Sequence, residues 1–196
     1  MKKVSIAMMT LMLIIPGVTY AHVANSDGGF NSGLSHPVFG MDHLLAMLSV
    51  GILSAQMGGK WIWKVPFTFI LVMLIGGVLG IKGIDIISVE LGIVLSVLIL
   101  GGAIASGKRI PPVLAMIFVT IFAIFHGHAH GTEMPYLAEP MLYAGGFVVG
   151  TATIHILGVL ISYILQKLKT GESLLRYLGS TIAAIGFYFT INYIFM

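Results

Sequence analysis

The sequence predicts an all-α fold, a polytopic membrane helix bundle with six transmembrane helices that follow a cleavable signal peptide. Of the 196 residues, 58% are hydrophobic and 9% are charged, and the mean hydropathy is +1.03. Soluble domains carry roughly a quarter of their residues as Asp, Glu, Lys and Arg, so a soluble fold is excluded. The loops between the apolar stretches are too short to fold separately. Residues 22–196 are therefore expected to form a single six-helix transmembrane domain.

Residues 1–21 have the three parts of a signal peptide. Two lysines form a basic start, an apolar stretch follows, and small side chains at Thr19 and Ala21 occupy the positions that a signal peptidase reads. The apolar stretch is shorter than the ~20 residues that a membrane span needs, which favours cleavage over the alternative of an uncleaved first membrane helix. The polar residues 22–35 are then expected to be a short flexible lead-in.

Six apolar stretches follow, each able to cross roughly 30 Å of hydrocarbon at ~1.5 Å per residue. They are placed at 37–56, 65–81, 85–105, 112–127, 141–166 and 174–195. If the mature N-terminus is periplasmic, every Lys and Arg after the signal peptide falls on the cytoplasmic side except Lys82. This distribution obeys the positive-inside rule and predicts a multi-pass protein of the bacterial inner membrane.

Small residues in two of the spans predict close helix contacts. Gly76 and Gly80 form one G-x-x-x-G pattern, and Gly146 and Gly150 form another. Glycines at this spacing let two helix backbones approach closely in a membrane. Their expected role is packing.

The composition also narrows the possible chemistry. A net charge of +3 is too small for a nucleic-acid surface. The absence of cysteine excludes thiolate zinc sites and iron–sulfur clusters, so any metal must be bound by His, carboxylate, Met or backbone ligands. No phosphate-binding loop occurs in the sequence, which excludes ATP hydrolysis by this chain.

The first group of chemically interesting residues lies at 36–43. Pro37 is favoured at the first position of a helix, which makes His36 the expected N-cap and carries Asp42 and His43 into the membrane. An intramembrane charge costs at least ~2.5 kcal/mol unless it is paired or hydrated, so Asp42 indicates an ion pathway, with a structural hydrogen bond as the alternative. On a straight helix His36 and His43 would be ~10.5 Å apart. A complete site is therefore expected to borrow ligands from elsewhere.

The second group lies at 125–135 and supplies such ligands. If the fourth span continues through it, His126 and His130 share one helix face and can converge on one metal ion, whereas His128 faces the other way. Pro135 stops the helix, so that Glu133 can turn back toward the same place. The sequence predicts a metal site here, with a solvated polar loop or a pH sensor as alternatives.

Three further residues are weaker candidates. Glu90, about one and a half turns into the third span, is expected to have a supporting electrostatic role. His155, near the middle of the fifth span, fits either a hydrogen bond to a neighbouring helix or a deeper transfer site. If the signal peptide is cleaved, His22 becomes the N-terminus and offers an amine and an imidazole as a chelate.

The two groups resemble the signatures of a known family. The patterns H-P-x-x-G-x-D-H at 36–43 and F-H-G-x-A-H-G-x-E-x-P at 125–135 are similar to those of the HupE/UreJ family of nickel and cobalt permeases. The resemblance implies uptake of Ni²⁺, and in some members Co²⁺, for hydrogenase, urease or cobalamin synthesis in bacteria. Carried over by position, it makes the following residues the metal-handling ones: His36, Asp42, His43, His126, His130 and Glu133.

The expected function is therefore transport and not catalysis. The metal ion is the cargo, so no permanently bound cofactor is expected. An intramembrane zinc-dependent hydrolase that uses the same His and Asp residues is the main alternative, because some membrane hydrolases assemble zinc in this way. A bis-histidine haem protein and a purely structural partner are weaker alternatives. The sequence is compatible with a homo-oligomer but does not predict one.

Overall fold

The computed structural model describes residues 29–108, 110–135 and 138–195, which form seven α-helices and no strand. The proposed signal peptide at 1–21 and His22 lie outside the described residues. The helices are α1 (Phe30–Phe39), α2 (Met41–Met57), α3 (Trp61–Ile81), α4 (Val89–Ser106), α5 (Pro112–Thr132), α6 (Pro140–Gln166) and α7 (Gly171–Phe195).

The all-α membrane class is confirmed, and the described residues contain five to six candidate spans. Helices α3 to α7 are each long and apolar enough to cross a membrane. The sixth candidate is not one straight helix, because α1 and α2 meet at an angle of 87° and count as a span only when taken together. The prediction of a continuous span at 37–56 was therefore wrong.

The start of this broken span also differs from the prediction. His36 and Pro37 lie inside α1, so His36 is not an N-cap, and residues 30–35 are helical instead of forming a flexible lead-in. The reason is tertiary packing: a side chain at Gly33 would collide with the backbone of Tyr143 on α6. This close contact stabilises a short helix that contains a proline and is too short to be stable alone.

The break between α1 and α2 falls at Gly40. This residue has extended backbone angles, φ −85° and ψ 110°, and it serves as the C-cap of α1 and the N-cap of α2. A side chain would fit here only if its neighbours shifted by a few tenths of an ångström, since an added Cβ would lie 3.0 Å from His43 Nδ1. The bend therefore brings backbone and functional side chains into one compact corner.

The helix of the third predicted span also begins later than the predicted residue 85. Helix α4 begins at Val89, which puts Glu90 in its first turn and not one and a half turns deep. The preceding residues form turns, and Gly83 and Ser88 have positive φ angles of 66° and 54°. Left-handed backbone at these two positions is incompatible with a continuous helix, although the intervening isoleucines are as apolar as a span.

The glycine patterns act in packing, as predicted. A side chain at Gly76 or Gly80 would collide with the backbone of α5, and a side chain at Gly146 would collide with the backbone of α1. The α3–α5 and α4–α7 pairs have the most extensive contacts, followed by α6 against α1 and α2. Side chains of α1, α2, α5 and α6 meet in one buried cluster, where the rings of His36, His43 and Phe147 contact that of His130.

Candidate metal centre

The helix break brings both histidines of the first motif to the second motif. The ring centroid of His130 lies 4.8 Å from that of His36 and 4.3 Å from that of His43. The ring of His126, one turn earlier on α5, lies 4.9 Å from that of His43. The separation expected for a straight helix does not apply, because the 87° bend lets α1 and α2 approach α5 from two directions.

Two of these side chains, His36 and His130, form a candidate ligand set with Glu133. His36, His130 and Glu133 each offer one ligand atom, and these atoms lie within 4.8 Å of one another. It is the only such set of three among the described residues. His36 Nε2 donates a hydrogen bond of 3.1 Å to Glu133 Oε2. Since His130 is buried whereas Glu133 is 46% exposed, the set joins the protein interior to the surface.

Asp42 acts on the site through its neighbour. Its Oδ1 accepts hydrogen bonds from the backbone N–H of His43, at 2.8 Å, and from His43 Nδ1, at 2.9 Å. A carboxylate on one ring nitrogen fixes the tautomer and directs the other nitrogen, as it does for many metal-binding histidines. His43 therefore keeps its buried Nε2 without a hydrogen-bond partner among the described residues. Asp42 is not part of the three-residue set.

Several buried nitrogen atoms in this cluster have no hydrogen-bond partner among the described residues. They are His43 Nε2, His126 Nε2 and both ring nitrogens of His130. The other ring nitrogen of His126, Nδ1, donates a hydrogen bond of 2.8 Å to the carbonyl of Phe122. Leaving a buried polar group unpaired costs about 1–3 kcal/mol, so folded proteins rarely do so without a reason. Convergent unpaired imidazoles are suited to a bound cation.

Neither His128 nor Glu90 belongs to the three-residue set. His128 faces away from His126 and His130, as its position in the helix predicted. Its Nε2 donates a hydrogen bond of 2.8 Å to the carbonyl of Ile84. This contact ties α5 to the turn after α3. Glu90 has an exposed side chain in the first turn of α4.

The structure adds aromatic residues that sequence reasoning missed. Tyr143 on α6 has its ring centroid 5.9 Å from His36, and its buried hydroxyl has no partner among the described residues. Phe147 packs against His130 with a centroid distance of 4.1 Å. The spacing carried a signal, because Tyr143 and Phe147 are four residues apart and so share one face of α6.

The sequence of this chain has counterparts among known proteins. The sequence profile described as HupE / UreJ protein matches residues 10–189. The chain belongs to the HupE/UreJ family. It is 41% identical to Protein HupE of Rhizobium leguminosarum bv. viciae over 174 residues, which cover 89% of this chain and 91% of that protein. No solved structure matches the chain.

Family membership bears on the functional class. The HupE/UreJ family comprises hydrogenase and urease accessory proteins that transport nickel or cobalt, and its members are not enzymes. The alternative of an intramembrane zinc hydrolase receives no support.

Proposed function

We propose that this HupE/UreJ protein takes up Ni²⁺, with Co²⁺ as a second substrate, across the bacterial inner membrane and so supplies metalloenzyme maturation. The observation that carries the proposal is the convergence of His36, His130 and Glu133, whose ligand atoms lie within 4.8 Å of one another. Imidazole with carboxylate suits a divalent cation of borderline hardness, and the absence of thiolate favours rapid exchange over tight storage.

Entry begins at the exposed end of the ligand set. The carboxylate of Glu133 attracts the hydrated cation, which would take the place of the proton between Glu133 and His36 Nε2. That proton moves to water as a proton is taken up at His36 Nδ1, so that the imidazole stays neutral and binds through Nε2. His130 then completes the set from the buried side. The next imidazoles, His43 and His126, follow at ring distances of 4.3 and 4.9 Å and offer free nitrogen atoms for the following transfer.

The direction of transport is inferred from charge distribution. The site lies at the ends of α1 and α5 that are remote from Lys60, Lys108 and Lys167. Basic loops mark the cytoplasmic side, so the site is proposed to open to the periplasm. A potential that is negative inside contributes ~4.6 kcal/mol per 100 mV to the entry of a dication, which can drive uptake without ATP.

The test is metal uptake into proteoliposomes that contain the purified protein. Ni²⁺, Co²⁺, Zn²⁺ and Mn²⁺ are offered to the wild type and to Asp42→Asn. We expect Asp42→Asn to reduce uptake about tenfold or more, because the neutral amide lacks the negative charge that strengthens the hydrogen bond to His43 Nδ1 and polarises the ring. Glu172→Gln, which removes an acid in the first turn of α7, is the matched control and should transport normally.

Equal uptake by the wild type and Asp42→Asn would refute the mechanism. Absence of Ni²⁺ and Co²⁺ uptake by an oriented, folded wild-type protein would refute the function. Cobalt uptake well above nickel uptake would change the order of the two substrates and leave the mechanism intact.

A further inference from the structure

We call the group formed by His36, His43, His126, His130 and Glu133 the mouth cluster. The most unusual buried group outside it is His155. It lies in the middle of α6, it is 1% exposed, and neither ring nitrogen has a hydrogen-bond partner among the described residues. The hydrogen bond from His155 to a neighbouring helix, one of the two roles considered from the sequence, is therefore not made among the described residues. An imidazole with two unsatisfied nitrogens in an apolar interior is unfavourable, so a role as a ligand has to be considered.

His155 is connected to the mouth cluster by one aromatic ring. The ring centroid of Phe69 lies 5.6 Å from that of His126 and 5.2 Å from that of His155. All three side chains are almost completely buried. A row of contacting rings thus leads inward from His126 through Phe69 to His155.

The depth of His155 follows from its contact with α2. A side chain at Gly51 would collide with the His155 carbonyl oxygen, and Gly51 is eight residues beyond His43 on that helix. Eight residues correspond to about 12 Å along a helix axis. His155 therefore lies well inside the bundle, beyond the reach of an ion held by His36 and Glu133.

Two further side chains that could bind a metal ion lie about one helical turn from the contact between Phe69 and His155. Thr151 is one turn before His155 on α6, and Met73 is one turn after Phe69 on α3. The Thr151 hydroxyl donates to the Met73 sulfur at 3.8 Å, and both residues are buried. An imidazole, a hydroxyl and a thioether are all neutral donors, a set that suits Ni²⁺ or Co²⁺ far better than Mg²⁺ or Ca²⁺.

The geometry points to a second, inner transit site for the transported cation, with His155 as its principal ligand and Thr151 and Met73 beside it. This inference rests on the proposed function of metal uptake. The ion passes from His126 to His155 when the ring of Phe69 moves aside. Neutral ligands hold a dication weakly, which suits a position that the ion must leave toward the cytoplasm.

The test separates binding at the mouth from passage through the protein. Ni²⁺ binding is measured by equilibrium dialysis in lipid nanodiscs, and uptake is measured in proteoliposomes, for the wild type and His155→Ala. For His155→Ala we expect the Ni²⁺ affinity of the mouth cluster to stay within about twofold of the wild type. Uptake should fall about tenfold or more, because a ligand on the transport path is lost. His128→Ala, which removes a histidine bonded to Ile84, is the matched control and should keep both.

A second pair of variants covers the case in which His155→Ala does not fold. His155→Gln keeps a polar side chain, and Met73→Leu changes the core volume little. Cobalt absorption spectra should show a second binding step in the wild type that is lost in His155→Gln and shifted in Met73→Leu. Glu133→Gln should weaken the first step instead.

The outcomes distinguish the two proposals. Uptake by folded His155→Ala or His155→Gln equal to that of His128→Ala would overturn the inner site and leave the proposed function standing. Loss of mouth binding in a folded His155 variant would also overturn it, because His155 would then support the mouth structurally. A wild type without Ni²⁺ or Co²⁺ uptake would overturn the proposed function itself.

Discussion

At the scale of single residues, the histidines of one short motif have different roles. His126 and His130 keep free ring nitrogens inside the bundle, whereas His128 spends its Nε2 on the carbonyl of Ile84. The difference follows from helical geometry, because residues two apart point to opposite sides of a helix. Histidine content alone therefore does not identify the ligands.

Glu133→Gln should weaken metal binding at the mouth. The carboxylate is the only negatively charged member of the three-residue set, and its amide replacement still fills the space but no longer attracts a dication. We expect affinity for Ni²⁺ to fall about tenfold, measured by equilibrium dialysis. Glu139→Gln removes an acid at the same end of the molecule, just before α6. An equal loss in both variants would mean that only the overall negative charge matters.

His128→Ala should affect stability and not transport. It leaves the Ile84 carbonyl without its 2.8 Å hydrogen bond, which is expected to cost about 1 kcal/mol. Thermal unfolding in detergent should show a small decrease in Tm, while uptake stays close to that of the wild type. A large loss of uptake with unchanged Tm would place His128 on the ion path.

At the scale of elements, the bend between α1 and α2 is what assembles the first motif. The backbone angles of Gly40 are open to any residue, but a side chain there would crowd the Asp42–His43 pair, since an added Cβ would lie 3.1 Å from Asp42 Oδ1. A straight helix would leave His36 and His43 too far apart to contact the same imidazole. The break is therefore what lets both histidines contact His130.

Gly40→Ala should lower Ni²⁺ affinity several-fold while the protein still folds. Alanine favours a continuous helix by about 1 kcal/mol relative to glycine, and its methyl group would press on His43. The control is Gly102→Ala, since an added Cβ on that α4 residue has no neighbour within 4 Å. Binding isotherms compare the two. Unchanged affinity in Gly40→Ala would show that the bend tolerates a side chain.

The α3–α5 interface offers a prediction on stability alone. A methyl group at Gly76 would collide with the Ile124 carbonyl, whereas one at Gly77 would lie 3.5 Å from the Gly127 carbonyl, an ordinary contact. Gly76→Ala is therefore expected to destabilise the protein by about 1–3 kcal/mol, and Gly77→Ala to have little effect. Unfolding in mixed micelles measures both. Similar stabilities would contradict the close packing described for these helices.

At the scale of the whole molecule, the ligand set lies at one end of the bundle and the basic loops lie at the other. This polarity relates the direction of uptake to the membrane potential. If the cation crosses without a compensating charge, a potential that is negative inside should accelerate uptake, with ~4.6 kcal/mol available per 100 mV. Potassium gradients with valinomycin set the potential across proteoliposomes. Uptake that is independent of the potential would indicate an electroneutral exchange, for example against protons.

The amino-acid sequence alone predicts the helical class, the approximate spans and the face of α5 on which each histidine lies. Hydrophobic stretches of sufficient length require helices in lipid, because every backbone polar group must be paired within its own segment. Helical periodicity also predicted that His126 and His130 share a face and that His128 does not. The family signatures at 36–43 and 125–135 identified the residues that the structure brings together at the mouth.

The remaining features depend on contacts between distant parts of the chain. Pro37 read locally as a helix start, yet packing of Gly33 against α6 extends α1 before it and moves the break to Gly40. Local spacing likewise could not predict that Phe69 contacts both His126 and His155, because these residues lie on three helices. Periodicity describes the face of one helix, whereas the meeting of faces is determined by which helices pack together and how closely.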